Sequence, residues 1–333
     1  MLNIMTTNTL LLSYLLLFVG FVLLAWAANT LISGAASLAK KFGLSPRLIG
    51  LTIIALGTSV PEMVISTIAA LHGNPNMAVG NAIGSNITNM TLVLGITTLI
   101  IPLRVRSTTL KKEFPLLFLA MLLVGFFMLN GQLSRINGIF LIIGAILTIL
   151  WLIQEGRKKK KSIIKKDILD AEYKKEINVK IPTSKAVLQL TLGLILLPIS
   201  SNIIVENAVI IAHHFNVSDL IIGLTILALG TSLPELATSL ACAKKREYDI
   251  IIGNIIGSNI FNLLAVIGLP AIIHPIILNH QLLRRDFSVM FGVTVLLYFF
   301  AFGRQDKGRI TRFKGGILLS IYVAYLLVLF FVR

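Results

Sequence analysis

From Thr9 almost to its end, the chain is a succession of apolar segments long enough to cross a lipid bilayer, separated by short polar connections. A membrane interior offers no water to a backbone N–H or C=O, so each crossing must be a helix or one strand of a closed barrel. The apolar residues run in long unbroken blocks and not in short alternating ones, which selects helices. Ten spans are expected, at about 9–39, 46–71, 76–101, 113–130, 134–153, 186–214, 219–243, 249–275, 286–303 and 313–332. The first is too long for the core of a secretory signal and follows no basic residue, so it reads as a retained span. Charged residues make up 13% of the chain and mean hydropathy is +0.89, which leaves no room for a soluble domain. One cysteine, Cys242, allows no intrachain disulfide.

The net charge of +16 would suit a nucleic-acid partner, but its distribution assigns it to topology. All lysines and arginines except Arg135, Arg284, Arg285 and Arg333 fall in the connections after odd-numbered spans. Basic residues stay on the cytoplasmic side, so those connections are expected inside a cell membrane, with both termini outside. The longest, residues 154–185, carries Arg157, Lys158, Lys159, Lys160 and Lys161. Ile163, Ile164, Ile168 and Leu169 recur there at near-helical spacing, as in a segment lying on the membrane surface. Positive-inside charge explains this linker better than a lipid-specific site does.

Displaced by 173 residues, the sequence matches itself. Gly50-Leu51-Thr52-Ile53-Ile54-Ala55-Leu56-Gly57-Thr58-Ser59-Val60-Pro61-Glu62 meets Gly223-Leu224-Thr225-Ile226-Leu227-Ala228-Leu229-Gly230-Thr231-Ser232-Leu233-Pro234-Glu235. The same displacement lays Gly80-Asn81 on Gly253-Asn254, and Gly84-Ser85-Asn86-Ile87-Thr88-Asn89 on Gly257-Ser258-Asn259-Ile260-Phe261-Asn262. It also brings Asn29 onto Asn202. The copies occupy spans two and three, then seven and eight. An odd number of spans separates them, so the second copy enters the membrane inverted, an architecture that places substrate sites at the repeat interface near mid-membrane. The expected division is residues 1–153 as one five-helix repeat, 154–185 as a basic cytoplasmic linker and 186–333 as the second repeat.

Glu62 and Glu235 fall well inside their spans, where an ionisable group is costly and usually functional. Related by a pseudo-twofold, they converge, supplying two negative charges and hard oxygen ligands that suit Ca²⁺. Pro61 and Pro234 lack an N–H and clash one turn back, which should free the Gly57 and Gly230 carbonyls and loosen the helix at Thr58 and Thr231. Helices two, three, seven and eight are therefore expected to be discontinuous. Ala55, Ser59 and Glu62 share one face, and Asn81, Ser85 and Asn89 form a stripe on the partner helix. Asn81, Asn86, Asn254 and Asn259 would serve equally well to hold helices together. Glu206 has Ser33 as its repeat partner, lies nearer the outer end, and reads as structural or as a vestibule residue.

These paired Gly-Thr-Ser-x-Pro-Glu and Gly-Asn-x-x-Gly-Ser-Asn-Ile-x-Asn motifs closely resemble the two repeats of the sodium/calcium exchangers, in the cation/Ca²⁺ antiporter superfamily. The resemblance spans nearly the whole chain and is greatest to compact prokaryotic members with ten helices. It implies that Glu62 and Glu235 ligate Ca²⁺ with backbone oxygens of Thr58 and Thr231. It further implies that Na⁺ uses the same carboxylates with Ala55, Ser59 and Ser85, and with Ala228, Ser232 and Ser258, while Asn89 and Asn262 line the centre. Several branches carry Asp at the position of Asn262, and K⁺-dependent exchangers rely on an acid there, so K⁺-independent exchange is expected. Ca²⁺ and Na⁺ are then substrates, with no cofactor, no nucleic acid and no obligatory protein partner.

The histidines, His72, His213, His214, His274 and His280, all fall on or near the outer side without metal-ligand spacing. No enzyme signature appears in a supporting context, so an enzyme is not expected. A proton/Ca²⁺ exchanger using the same glutamates and, less favoured, a cation channel are the alternatives.

Overall fold

The computed structural model describes residues 2–42, 45–73, 75–106, 109–163, 182–215, 228–279, 281–302 and 308–331. Most of the basic linker, including Ile164, Ile168 and Leu169, lies outside them, as do residues 223–227 of the second motif and His280. The described residues are mostly helical, with no closed sheet.

Helix α1 (Leu2–Phe42) leads to α2 (Pro46–Ile49), a π-helical turn (Gly50–Ile54), α3 (Ala55–Thr58) and α4 (Val60–Leu71). Then come α5 (Pro75–Thr88), a π turn (Asn89–Val93), α6 (Leu94–Ile100) and strand β1 (Leu103–Val105). A π turn (Thr109–Glu113) opens α7 (Phe114–Met128), and β2 (Gln132–Leu133) precedes α8 (Arg135–Ile163). In the second half, α9 (Thr183–His214) is followed by α10 (Ala228–Thr231), α11 (Leu233–Lys244) and α12 (Tyr248–Phe261). A π turn (Asn262–Val266), α13 (Ile267–Ile273) and β3 (Ile276–Ile277) follow. The chain closes with a π turn (Leu282–Phe287), α14 (Ser288–Ala301), β4 (Gly308–Ile310) and α15 (Arg312–Phe331). Two pairs of π turns coincide under the 173-residue displacement, 89–93 with 262–266 and 109–113 with 282–287, so the duplication extends to local backbone geometry.

Among the described residues, seven helices are long and apolar enough to span a bilayer: Thr9–Ala39, Pro46–Leu71, Pro75–Ile100, Arg135–Glu155, Thr183–His214, Tyr248–Ile273 and Arg312–Leu329. The expected spans 113–130 and 286–303 are helical too, but Lys111, Lys112 and Glu113 occupy the opening turn of one, and Arg284, Arg285 and Asp286 that of the other. The expected span 219–243 is seen only as α10 and α11.

Burial ranks the helices. Over its most apolar 18 residues Tyr248–Ile273 is fully buried and Pro75–Ile100 is 72% buried, whereas Thr9–Ala39, Arg135–Glu155, Thr183–His214 and Arg312–Leu329 are only 22%, 28%, 28% and 17% buried. The motif-bearing segments form the centre, and α1 with α9 forms a pair on its flank. Glycines let those two backbones touch. A Cβ on Gly34 would stand 2.6 Å from the Ala186 carbonyl oxygen, and one on Gly193 would stand 2.5 Å from Leu31 Cβ. Backbones are equally close inside the centre, where Gly253 and Gly257 of α12 leave no room for a Cβ beside Arg47 and Leu51.

Ties between connections fall into two groups. In one, β1 pairs antiparallel with β4, Arg106 meets Asp249 at 2.8 Å, Lys112 pairs with Glu155, and Lys41 donates to Thr183. These join connections after odd-numbered spans to one another. In the other, β2 pairs with β3 and Leu278 N–H donates to Gly131 C=O at 2.9 Å, joining two even-numbered connections.

Candidate ion-binding centre

Both prolines sit in the first turn of a helix. Helix α3 ends at Ser59 (φ −85°, ψ 0°) and α4 restarts at Val60; α10 ends at Ser232 (φ −92°, ψ 3°) and α11 restarts at Leu233. In that first turn the missing proline N–H costs no hydrogen bond. Glu62 and Glu235 occupy the same turns, where the helix dipole favours negative charge. Spans two and seven are thus interrupted at Ser59 and Ser232, one residue beyond the expected Thr58 and Thr231. Spans three and eight are different: they continue through π turns beginning at Asn89 and Asn262 and show no such break.

The Gly230 carbonyl, which Pro234 leaves without an N–H donor four residues on, accepts from the Ser201 hydroxyl of α9 at 2.6 Å and keeps a second lone pair. The restart of a helix frees carbonyls, and a neighbouring hydroxyl bonds to this one.

Glu62 and Glu235 are both 0% exposed and close enough for their charges to act on one another. No oxygen of either carboxylate has a partner in hydrogen-bonding geometry, although the hydroxyls of Thr58 and Ser258 face that of Glu235. Around them the halves interlock. Thr58 Oγ1 lies 3.2 Å from Ser258 Oγ and 3.3 Å from Asn254 Oδ1, and Asn254 Nδ2 donates to Thr238 at 3.2 Å. The Ala55 carbonyl accepts from Ser59 N–H at 3.1 Å and from the hydroxyls of Thr58 and Ser258, each at 3.4 Å. Asn89 Nδ2 donates to Asn259 Oδ1 at 3.3 Å, and Asn86 Nδ2 to the Asn259 carbonyl at 3.1 Å. Asn81 turns away from the centre to Ser66 and the Glu62 carbonyl. Asn81, Asn86, Asn254 and Asn259 thus all bond from one helix to another, as interhelical glue does.

The other expected site residues are placed as follows. Ser59, Ser85, Ser232, Ser258, Asn89 and Asn262 are buried, while Thr231 is half-buried. Ala228 opens α10, and its side chain lies outside the described residues. Ser59 Oγ, Ser232 Oγ, Asn89 Oδ1 and both amide atoms of Asn262 lack partners, as do the four carboxylate oxygens. Each orphaned buried group costs about 1–3 kcal/mol, more when charged. Hard oxygens gathered this way are the donor set of Na⁺ and Ca²⁺. Among the described residues no cluster of His, Cys, Asp and Glu of the kind that holds a transition metal occurs.

Among the contacts that the repeat signal did not mark are Ser201 to Gly230, and Lys245 of the α11–α12 connection to α1.

The profile described as sodium/calcium exchanger protein matches residues 12–154 and 185–331. The chain belongs to the sodium/calcium exchanger family. It is 39% identical to the inner membrane protein YrbG of Escherichia coli (strain K12) over 321 residues, 96% of this chain and 98% of that one. It is 28% identical to the sodium/calcium exchanger MaX1 of Methanosarcina acetivorans, covering 96% of this chain and 99% of that protein. Among solved structures it resembles the sodium-calcium exchanger NCX_Mj, soaked with Na⁺ and Sr²⁺, with a TM-score of 0.80 at 29% identity over 97% of this chain and 99% of that one. This exchanger-family chain is thus a multi-pass membrane antiporter for cations including Ca²⁺, and neither its family nor its fold is that of an enzyme.

Proposed function

We propose that the protein exchanges Na⁺ for Ca²⁺ across the cell membrane by alternating access, without requiring K⁺. The observation that carries this reading is the pair Glu62 and Glu235, both fully buried with no carboxylate oxygen in a hydrogen bond, one from each half of the chain. Two carboxylates at one point are stable together only when a cation or protons compensate them. Ca²⁺ takes both carboxylates with backbone oxygens of Thr58 and Thr231. Na⁺ takes the same carboxylates with Ala55, Ser59 and Ser85 in one half, and Ala228, Ser232 and Ser258 in the other, while Asn89 and Asn262 line the centre. Occupancy by one ion excludes the other, and exclusion at a single centre produces antiport.

The architecture proposed for this exchange is ten spans in two inverted five-helix repeats, residues 1–153 and 186–333, joined by a cytoplasmic linker. Two features support it. The ties at the bundle ends join odd connections to odd and even to even, as alternate crossing requires. The paired π turns at 89–93 and 262–266 follow the repeat displacement. The weakly buried α1–α9 pair is then the part that shifts, sliding against the enclosed centre.

The test is ⁴⁵Ca²⁺ uptake into proteoliposomes loaded with Na⁺, with K⁺, or with acid inside. Uptake driven by the Na⁺ gradient alone supports this reading. Uptake driven by the proton gradient alone replaces it with proton/Ca²⁺ exchange, and dissipative single-channel current would indicate a channel.

A further inference from the structure

Lys245, directly after α11, reaches across to α1. Its ammonium donates to the Asn29 carbonyl at 2.9 Å and to Ser33 Oγ at 2.5 Å. Ser33 Oγ in turn donates to the same Asn29 carbonyl at 2.8 Å, so its lone pairs are turned toward the lysine. A charge-assisted contact of this kind is roughly twice as strong as a neutral one. It fastens the enclosed centre to the flanking α1–α9 pair, and it does so on the face that carries the odd-numbered connections.

The 173-residue displacement carries Lys245 to His72, Asn29 to Asn202 and Ser33 to Glu206. His72 follows α4 as Lys245 follows α11, and Asn202 and Glu206 stand on α9 as Asn29 and Ser33 stand on α1. Each half therefore holds a basic nitrogen after its restarted helix, and an asparagine followed four residues later by a side-chain acceptor on its long helix; at Asn29 the lysine meets the main-chain carbonyl, while the side-chain amide donates to the Ala25 carbonyl. The acceptors differ with their donors: a hydroxyl faces the lysine in the first half, and a carboxylate stands at the matching place for the imidazole in the second. The two sets are not in the same state. Asn202 Nδ2 donates to Glu206 Oε1 at 2.6 Å within α9, both residues are exposed, and no hydrogen bond among the described residues joins His72 to either. An exposed carboxylate on a membrane helix is costly and needs a reason.

We propose that Lys245 with Ser33 and Asn29, and His72 with Glu206 and Asn202, are two latches on opposite faces of the membrane that close alternately and hold the α1–α9 pair at either end of its travel. This rests on the alternating-access reading above. Here the Lys245 latch is closed and the His72 latch is open. A shift of α1 that withdraws Ser33 from Lys245 moves α9 with it, because glycines lock the two backbones together. Glu206 then exchanges the Asn202 amide for the His72 imidazole. His72 and Lys245 act through the position of the helix pair, so both are positioning residues and neither touches an ion.

The experiment uses the full chain with Cys242→Ser and cysteines at positions 33 and 245, at 72 and 206, or at all four, treated in membranes with a cleavable bifunctional thiol reagent. Either pair is expected to cross-link, but no molecule should carry both links. Each link should lower exchange at least about tenfold, with recovery on cleavage, because it holds one population of a two-state equilibrium. Molecules linked at both pairs together, or full exchange through a linked pair, overturn the proposal. Should the four-cysteine chain fail to fold, Lys245→Met is combined with a single cysteine at position 210, an exposed site one turn along α9 from Glu206 that leaves the second latch intact. Opening one latch then favours the other, and labelling of position 210 by an impermeant reagent should slow about threefold or more. An unchanged rate overturns the proposal. The cross-linking pattern and the labelling rate register helix position without any transported ion, so they stand or fall apart from Na⁺/Ca²⁺ exchange itself; only the tenfold loss is read on exchange.

Discussion

Arg47 and Glu113 form an ion pair inside the protein, with Nη1 3.2 Å from Oε1 and side chains only 4% and 3% exposed. Arg47 lies in α2 at the entry to the second span, and Glu113 ends the π turn that opens the fourth. The pair fixes the start of the motif-bearing segment to a helix outside it. Breaking such a pair strands a buried charge and costs about 3–5 kcal/mol. Arg47→Met should therefore lower the thermal unfolding midpoint of the purified protein in detergent clearly. Arg47→Met with Glu113→Leu should recover most of that loss, since the stranded charge has gone as well.

Glu62→Gln and Glu235→Gln should each abolish Ca²⁺ transport while leaving a folded protein. Each replacement removes one of two ligand charges, and the burial cost of that charge disappears with it. Uptake of ⁴⁵Ca²⁺ by reconstituted variants measures the first effect, and size-exclusion behaviour checks the second. Near-normal exchange by either variant would dismiss the shared centre.

Potassium should be dispensable. Two carboxylates are neutralised by one Ca²⁺, so an added K⁺ would leave uncompensated charge in a buried site. Asn89 and Asn262, buried at matching places, are neutral and supply no third carboxylate. Initial Ca²⁺ uptake into Na⁺-loaded proteoliposomes should be the same in external K⁺ or choline. A strict K⁺ requirement would mean that another acid reaches the centre, with Glu206 the first to test.

Sidedness has its own measurement. Cysteines placed next to Lys160 and Lys245 should react only from the cytoplasm, and one next to His72 only from outside. Labelling near position 160 from outside intact cells would reverse the proposed orientation.

Much of the centre was legible because duplication writes it twice. Pro61-Glu62 and Pro234-Glu235 mark the two helix restarts, and their burial follows from their depth in apolar runs. Contacts made by residues without a like partner in the other half were not legible. Ser201 has Ala28 as its repeat partner, so nothing in the self-match drew attention to its bond with Gly230. Strands of two or three residues carry no periodicity to read, and β1–β4 and β2–β3 emerged only from the structure. The π turns were equally silent, since a single wide turn leaves the apolar pattern of its helix nearly unchanged.

The Ser201–Gly230 bond also means that the two halves are energetically unequal despite their matching motifs. Ser201 belongs to α9, and Gly230 lies one residue before Thr231, so the position of the helix pair and the freedom of that carbonyl are a single variable. Across the repeat, Ala28 offers no hydroxyl to Gly57. A machine with equivalent halves would rest equally in either orientation; under the proposed alternating access, a bond that only one half makes tilts that balance, and turnover in one direction starts from a lower rung than in the other. Ser201→Ala should level that difference. The expected result is a ratio of forward to reverse exchange, measured in oriented vesicles, that moves toward one, while Ca²⁺ binding at equilibrium persists.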